Sequence, residues 1–329
     1  MKHLLKKLAL LAIPLVLYLA FFVSFEPNNY FGLRAGAAST APIARVRAFE
    51  ENPGDYLLLG DSRLAHFDMD LAAEVSGKPW QNLAFGGASL RETLDLAEYA
   101  LQQNPEVKEL VLGLSFYTLN QSYDTDRMSD LQATLRNPAA YVLNLEYNVN
   151  TLTSFVNWTI WARQRLAGTT QDTWAQAQVE RETGDWEYPA DYTAPDGSLY
   201  PVHAKLAQYP ATIYPVCQGW QLNQEQFDRL LEFASRCEEK GVEVTVVFPP
   251  MADNVLEEVC KPLGIADAME NEVLPRLFAA AEEGGFAVLD YEWTDRPEFE
   301  DDRQFFDGFH LDTSYGLPDF TRQLFGRLA

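Results

Sequence analysis

From Tyr56 onward the chain alternates short apolar runs with longer amphipathic stretches. Tyr56-Leu57-Leu58-Leu59 is an unbroken apolar run, which predicts a strand buried on both faces of a sheet. Gly60 ends it, and Leu64 to Ser76 reads as a helix stopped by Gly77. Trp80 to Phe85 predicts a second strand. Ser89 and Glu92 have the spacing of a capping box, so a helix should run from Ser89 to Gln103, ended by Asn104-Pro105. Leu110 to Leu114 is the third strand. A helix from Asn223 or Gln224 to Lys240 leads through Gly241 into Val242 to Phe248, the clearest strand of the chain, stopped by Pro249-Pro250. Met269 to Glu283 predicts a helix, Gly284-Gly285 breaks it, and Phe286 to Leu289 is a fifth strand. A last helix runs from Thr313 or Ser314 to Leu328. This rhythm predicts an α/β fold, a three-layer sandwich with a mostly parallel five-stranded sheet and helices on both faces.

Two regions depart from the rhythm. Lys2, Lys6 and Lys7 precede the uncharged stretch Leu8 to Phe25. As a helix it would be roughly 27 Å long at about 1.5 Å per residue, close to the hydrocarbon thickness of a bilayer. Bulky Phe21, Phe22, Val23 and Phe25 stand where a signal peptidase needs small residues, so the stretch predicts an uncleaved anchor. The preceding lysines place the N-terminus in the cytoplasm and the rest of the chain outside it. Residues 26–54 then read as a stalk with little periodicity, although Arg45-Val46-Arg47 and Phe49 begin to look like packing. The second departure is residues 117–222, an insertion rich in Tyr, Trp, Asn and Pro that follows the third strand. Loops on that side of a sheet carry specificity, so a cap over a glycan or polyol-phosphate groove is one reading, and a small aromatic core of the insertion's own is the other. Residues 55–329 make up the remaining domain.

Composition narrows the chemistry. With 25 basic and 48 acidic residues the net charge is −23, and no basic patch offers a nucleic-acid surface. A phosphate polymer would be repelled at long range and would need local help, for which Arg63 and Arg91 are candidates. Cys217, Cys237 and Cys260 leave one disulfide open outside the cell without selecting a pair. No cluster has zinc-site spacing, and no cofactor is called for.

The candidate chemistry lies at the two ends of the sheet-forming sequence. Ser62 follows the first strand in the turn Gly60-Asp61-Ser62, where open α/β sheets bind ligands. Its hydroxyl needs a base. Of the four histidines, His3 lies in the N-terminal tail, His66 on the helix after Ser62 and His203 in a Pro-rich stretch. Only His310 has a carboxylate close upstream, Asp307, on the Gly-broken loop Phe305 to Asp312.

Gly-Asp-Ser after a buried strand, with Asp-x-x-His before the C-terminal helix, resembles the SGNH (GDSL-type) hydrolase superfamily. Asn82 to Ser89 resembles that family's glycine block, with Gly87 at its oxyanion glycine. Val111 to Tyr117 occupies the third block, where Ser115 replaces the usual asparagine; Asn120 is a less well aligned substitute. The resemblance implies a flavodoxin-like sheet, Ser62 as nucleophile, His310 as base, Asp307 as its orienter, and Gly87 with Ser115 at the oxyanion. The layout of anchor, core, insertion and ending is similar to D-alanyl-lipoteichoic acid biosynthesis and alginate O-acetylation proteins. That implies a serine esterase or O-acyltransferase on the outer side of the cell membrane, acting on an acyl ester of a cell-envelope polymer beside a membrane-bound O-acyltransferase. The alternatives are a hydrolase of small esters, thioesters or lipids, and a catalytically weak envelope scaffold, which the replacement at Ser115 favours.

Overall fold

The computed structural model describes residues 2–33, 39–178 and 216–329, without the side chains of residues 2, 4–6, 8, 9 and 301. His203 and the aromatic residues from Trp186 to Tyr214 lie outside that description. The strands are β1 (Tyr56–Leu59), β2 (Trp80–Asn82), β3 (Glu109–Gly113), β4 (Glu243–Phe248) and β5 (Ala287–Asp290). The principal helices are α1 (Lys2–Phe25), α2 (Pro42–Glu51), α3 (Ser62–Ala65), α4 (Met69–Ser76), α5 (Leu90–Gln103), α6 (Met128–Leu135), α7 (Pro138–Leu143), α8 (Leu145–Leu166), α9 (Gln224–Glu239), α10 (Leu274–Gly284) and α11 (Gly316–Arg327). They form two compact units, residues 1–51 with 129–182 and residues 52–128 with 183–329.

The second unit is an α/β sandwich. Its sheet has the order β2-β1-β3-β4-β5 and every pairing is parallel. Leu57, Leu58 and Leu59 are wholly buried, as a strand covered on both faces must be. Helices α4 and α11 pack together on one face, with Leu58, Leu64, Val111, Phe320, Leu324 and Phe325 in the core beneath them. On the other face α9 packs against both α5 and α10. Strand order reverses direction at β1, so the crevice between the carboxyl ends of β1 and β3 is the topological switch point where such folds bind ligands.

Local capping decides where helices begin. The helix expected from Leu64 to Ser76 is two helices, because the Asp68 carboxylate accepts from Asp70 N and Leu71 N and starts α4 afresh. The Ser89–Glu92 capping box opens α5 as its spacing predicts. Helical turns also cover most of the stretch from Asp253 to Ala268, which Pro249-Pro250 concealed in the sequence, and run on through Met269–Val273 into α10, as expected from Met269.

The first unit corrects the stalk. Tyr30 stacks on Tyr141 with centroids 4.0 Å apart, and the Tyr141 hydroxyl donates to Glu26 Oε2 at 2.8 Å. Helix α2 buries Ile43, Ala44, Val46 and Phe49. Residues 26–33 and 39–51 therefore fold with residues 129–178 of the insertion instead of trailing as a spacer: their aromatic and apolar side chains bury more surface than an extended segment would. Among the described residues no helix is long and apolar enough to cross a membrane.

Candidate active site

The site grows from strand ends that approach unusually closely. Gly60, just past β1, has φ +150°, and a Cβ there would lie 2.9 Å from the carbonyl oxygen of Gly113 at the end of β3. A Cβ on Gly113 would in turn strike the Leu64 side chain at 2.3 Å. Gly60 has both the φ and the close backbone approach that call for glycine, while a side chain at Gly113 would have to displace Leu64. Asp61 caps α3 by accepting from Arg63 N at 3.0 Å.

Ser62 Oγ and His310 Nε2 are 2.8 Å apart, although the residues are separated by 248 positions. His310 Nδ1 lies 2.8 Å from Asp307 Oδ2. The second oxygen of Asp307 accepts the backbone N–H of Phe309 at 3.0 Å and of His310 at 2.8 Å, so the carboxylate orients both the ring and the loop. Burial would raise the Asp307 pKa, but the neighbouring His310 and these hydrogen bonds outweigh it and hold the carboxyl below its usual range. The loop itself is pinned from outside. Phe306 N donates to His310 O at 2.8 Å, Ala252 N donates to Gly308 O at 2.9 Å, and Gly308 takes φ +89° against Val255. Three of the sequence-derived residues, Ser62, His310 and Asp307, thus form one continuous relay.

Gly87 occupies the turn after β2 at φ +66°, and its N–H has no protein partner among the described residues. Its carbonyl is tied down: Arg127 Nη2 donates to Gly87 O at 2.8 Å and Nη1 to Gly86 O at 3.3 Å. Arg127 is itself held by the buried carboxylate of Glu92, with Nε to Oε1 and Nη2 to Oε2 both at 2.8 Å. Anchoring the carbonyls leaves the Gly87 N–H free to act as a donor.

Ser115 requires a correction. It is wholly buried, its hydroxyl lies 3.2 Å from Asp61 Oδ2, and it accepts from Arg63 Nη1 at 3.0 Å. That hydroxyl is taken up by Asp61 and Arg63. Asn120 is equally occupied, donating to Val216 O and accepting from the backbone at Ser122 and Gln221. A different group stands near Gly87: a Cβ on that glycine would lie 3.4 Å from the Tyr123 hydroxyl. The Tyr123 hydroxyl makes no protein hydrogen bond among the described residues. Burial, with the charge of Asp61 behind it, pushes its pKa up to about 12, so it keeps its proton and is a donor.

Arg63 is also not the substrate-facing residue that its place beside Ser62 suggested. It is 4% exposed and forms a buried ion pair with Glu292, which is 0% exposed. Its Nη2 donates to Pro249 O and Pro250 O, each at 2.6 Å, while Nε has no protein partner among the described residues. Glu292 accepts besides from Phe116 N at 3.1 Å and Trp293 Nε1 at 2.9 Å. Burial pushes the Glu292 pKa up to about 7 despite the guanidinium. Tyr117 donates to Asp61 Oδ2 at 2.5 Å and completes the network. Arg91 is taken by Asp124 through both Nε and Nη2. Cys217, Cys237 and Cys260 are buried free thiols, and burial raises the pKa of each. Among the described residues no group of His, Cys, Asp and Glu is arranged to hold a metal ion.

Sequence reading missed Glu292, Arg127, Tyr117 and Tyr123. Glu292 had a signal, an acidic residue between Tyr291 and Trp293 at the end of a strand. The others sit on turns whose pairing depends on tertiary contact. In comparisons with known proteins, the chain matches no protein-family model and no curated protein.

Proposed function

We propose that the chain is an SGNH-type serine esterase or O-acyltransferase, anchored by Leu8 to Phe25 and acting outside the cytoplasmic membrane on an acyl ester of a cell-envelope polymer. The observation that carries the reading is the unbroken relay of Ser62, His310 and Asp307, with 2.8 Å at each step. Ser62 Oγ attacks the acyl carbon while its proton passes to His310 Nε2. The carbonyl oxygen becomes an oxyanion held by the N–H groups of Ser62 and Gly87 and by the Tyr123 hydroxyl. Each such donor is worth about 3–4 kcal/mol in the transition state. Collapse expels the leaving alkoxide or thiolate, which takes the proton from His310, and leaves acyl-Ser62. Water or an acceptor hydroxyl then gives its proton to His310, attacks the acyl carbon and restores the Ser62 hydroxyl. Asp307 holds the ring in the tautomer that both halves require and stays ionised throughout.

Transfer onto a polymer hydroxyl, with acyl groups supplied through a membrane-bound O-acyltransferase, and simple hydrolysis of small esters, thioesters or lipids share every step but the acceptor. The inert-scaffold reading drew its support from Ser115, and the Tyr123 hydroxyl beside Gly87 offers an alternative donor that weighs against it. The test is hydrolysis of p-nitrophenyl acetate and labelling by a fluorophosphonate, on full-length protein in detergent. Wild type should be labelled and active. Ser62→Ala should lose the label and on the order of 10³-fold or more of the rate. Equal, background-level rates with no label on wild type would overturn the enzymatic reading.

A further inference from the structure

In the unit formed by residues 1–51 and 129–182, Leu10, Leu11, Ile13, Leu15, Val16, Leu17 and Leu19 of α1 are each 38% exposed or more. Successive helical residues are about 100° apart, so these side chains point outward all around the helix. A collar apolar in every direction suits acyl chains. At its C-terminal end α1 is covered: Phe22 is fully buried, and Phe21 and Phe25 meet Phe155 at 5.3 and 4.9 Å, with Trp158 at 5.5 Å from Phe25. Where α1 stops facing outward, α8 covers it.

The outer side of α8 continues the apolar surface. Leu145, Val149, Leu152, Val156 and Ile160 are each 44% exposed or more and recur at intervals of three or four, one stripe on one face. The face turned to α1 carries Phe155 and Trp158, so α8 is apolar on two sides. It has no charged residue from Tyr147 to Ala162, and Arg163 and Arg165 stand in its last turn. Both helices also meet at Tyr18, whose hydroxyl donates to Val142 O at 2.7 Å and Asn148 Oδ1 at 2.8 Å.

We propose that α8 is a second membrane-contacting element: its outward stripe lies against lipid acyl chains and widens the apolar surface that α1 presents. The proposal rests on the anchor reading of α1 and is independent of the acyl chemistry. The test uses full-length protein in phosphatidylcholine vesicles, with one added cysteine carrying an environment-sensitive fluorophore, since the three native thiols are buried. Fluorophores at Leu152→Cys and Val156→Cys should emit at shorter wavelength and lose most of their emission when the acyl chains are brominated. The Asn150→Cys fluorophore, on a polar side of α8, should do neither, and Ile13→Cys reports the anchor. Quenching at position 13 but not at 152 or 156 would overturn the proposal and leave the anchor standing. A blue shift at 152 and 156 without bromine quenching would overturn it in favour of a protein on the stripe, whether a second copy or a membrane partner. Absence of quenching at all four positions would overturn both readings.

Discussion

Replacing Glu292 with glutamine removes the counter-charge of a guanidinium that water does not reach. In the folded protein one carboxylate oxygen accepts from Arg63 and the other from Phe116 N and Trp293 Nε1. An amide has one acceptor oxygen, so either Arg63 or two N–H groups must face a donor. Breaking one partner of a buried pair costs about 3–5 kcal/mol. Here both partners are at most 4% exposed, which leaves little solvent to soften the loss. For a domain of this size, each kcal/mol moves the melting midpoint by about 2–4 °C, so Glu292→Gln should lower it by about 6–20 °C. The assay is thermal unfolding followed by circular dichroism at pH 8, above the Glu292 pKa of about 7, where the carboxylate is charged. The double variant Arg63→Met, Glu292→Met removes both charges and should recover part of the loss. A loss under about 1 kcal/mol, or a double variant no better than the worse single one, would refute the claim that these are uncompensated buried charges. The same pair sets a pH dependence. The folded-state pKa of Glu292 is raised above its ordinary 4.5, so the native state holds a proton that the unfolded chain releases. Stability from this group should fall as pH rises through that window up to about 7, and Arg63→Met should extend the fall to higher pH.

Tyr123→Phe should lower kcat for p-nitrophenyl acetate on the order of 10²-fold with KM little changed, because the lost hydrogen bond is made to the oxyanion; an unchanged kcat would remove Tyr123 from the site. Asp307→Asn should keep the fold but cost on the order of 10⁴-fold in kcat, since the ring loses the partner that selects its tautomer; steady-state rates with native circular dichroism check this. Ser115→Ala should act on stability, about 1–3 kcal/mol by urea unfolding, with kcat changed far less than by Tyr123→Phe, because its hydroxyl links Asp61 and Arg63. The opposite pattern would return Ser115 to the oxyanion.

Legibility in the sequence followed the range of the interactions. The strands were readable because burial on both faces leaves unbroken apolar runs such as Tyr56 to Leu59, and α5 because Ser89 and Glu92 cap it locally. Ser62, Asp307 and His310 were readable because each stands beside a punctuation mark, Gly60 or Gly308, whose turn places it. Ser115 was misread because a residue's place in a block does not reveal where its hydroxyl points; only the positions of Asp61 and Arg63 do. Arg63 was misread for the same reason: a short helix offers no clear outer face, and its partner lies 229 residues away. The folded state of residues 26–33 and 39–51 was hidden because Tyr30 and Glu26 find their partner, Tyr141, across more than a hundred positions.

The placement of charge bears on what the site can accept. Among the described residues Asp61, Glu292 and Asp307 are buried carboxylates, and the buried guanidinium of Arg63 gives Nη1 and Nη2 to Glu292, Ser115 and two backbone carbonyls. Under the proposed reading, holding a developing oxyanion is therefore left to neutral dipoles: the N–H groups of Ser62 and Gly87 and the Tyr123 hydroxyl. Neutral donors stabilise an oxyanion best when their positions are fixed beforehand, because they have no net charge to draw the oxygen in. The ties of Arg127 to the carbonyls of Gly86 and Gly87 provide that fixation, which makes Arg127 a positioning residue. Arg127→Gln should accordingly reduce kcat while leaving the fluorophosphonate label on Ser62 detectable, since the relay to His310 is untouched; a variant with wild-type kcat would show that the Gly87 turn holds its shape without the clamp. The same charge balance disfavours a second anionic group near the acyl carbon, so an uncharged acyl ester should react faster than one carrying a carboxylate close to the carbonyl. Paired rates for an acetyl and a succinyl ester of the same phenol measure this, and a faster succinyl ester would mean that the buried carboxylates are screened from the substrate.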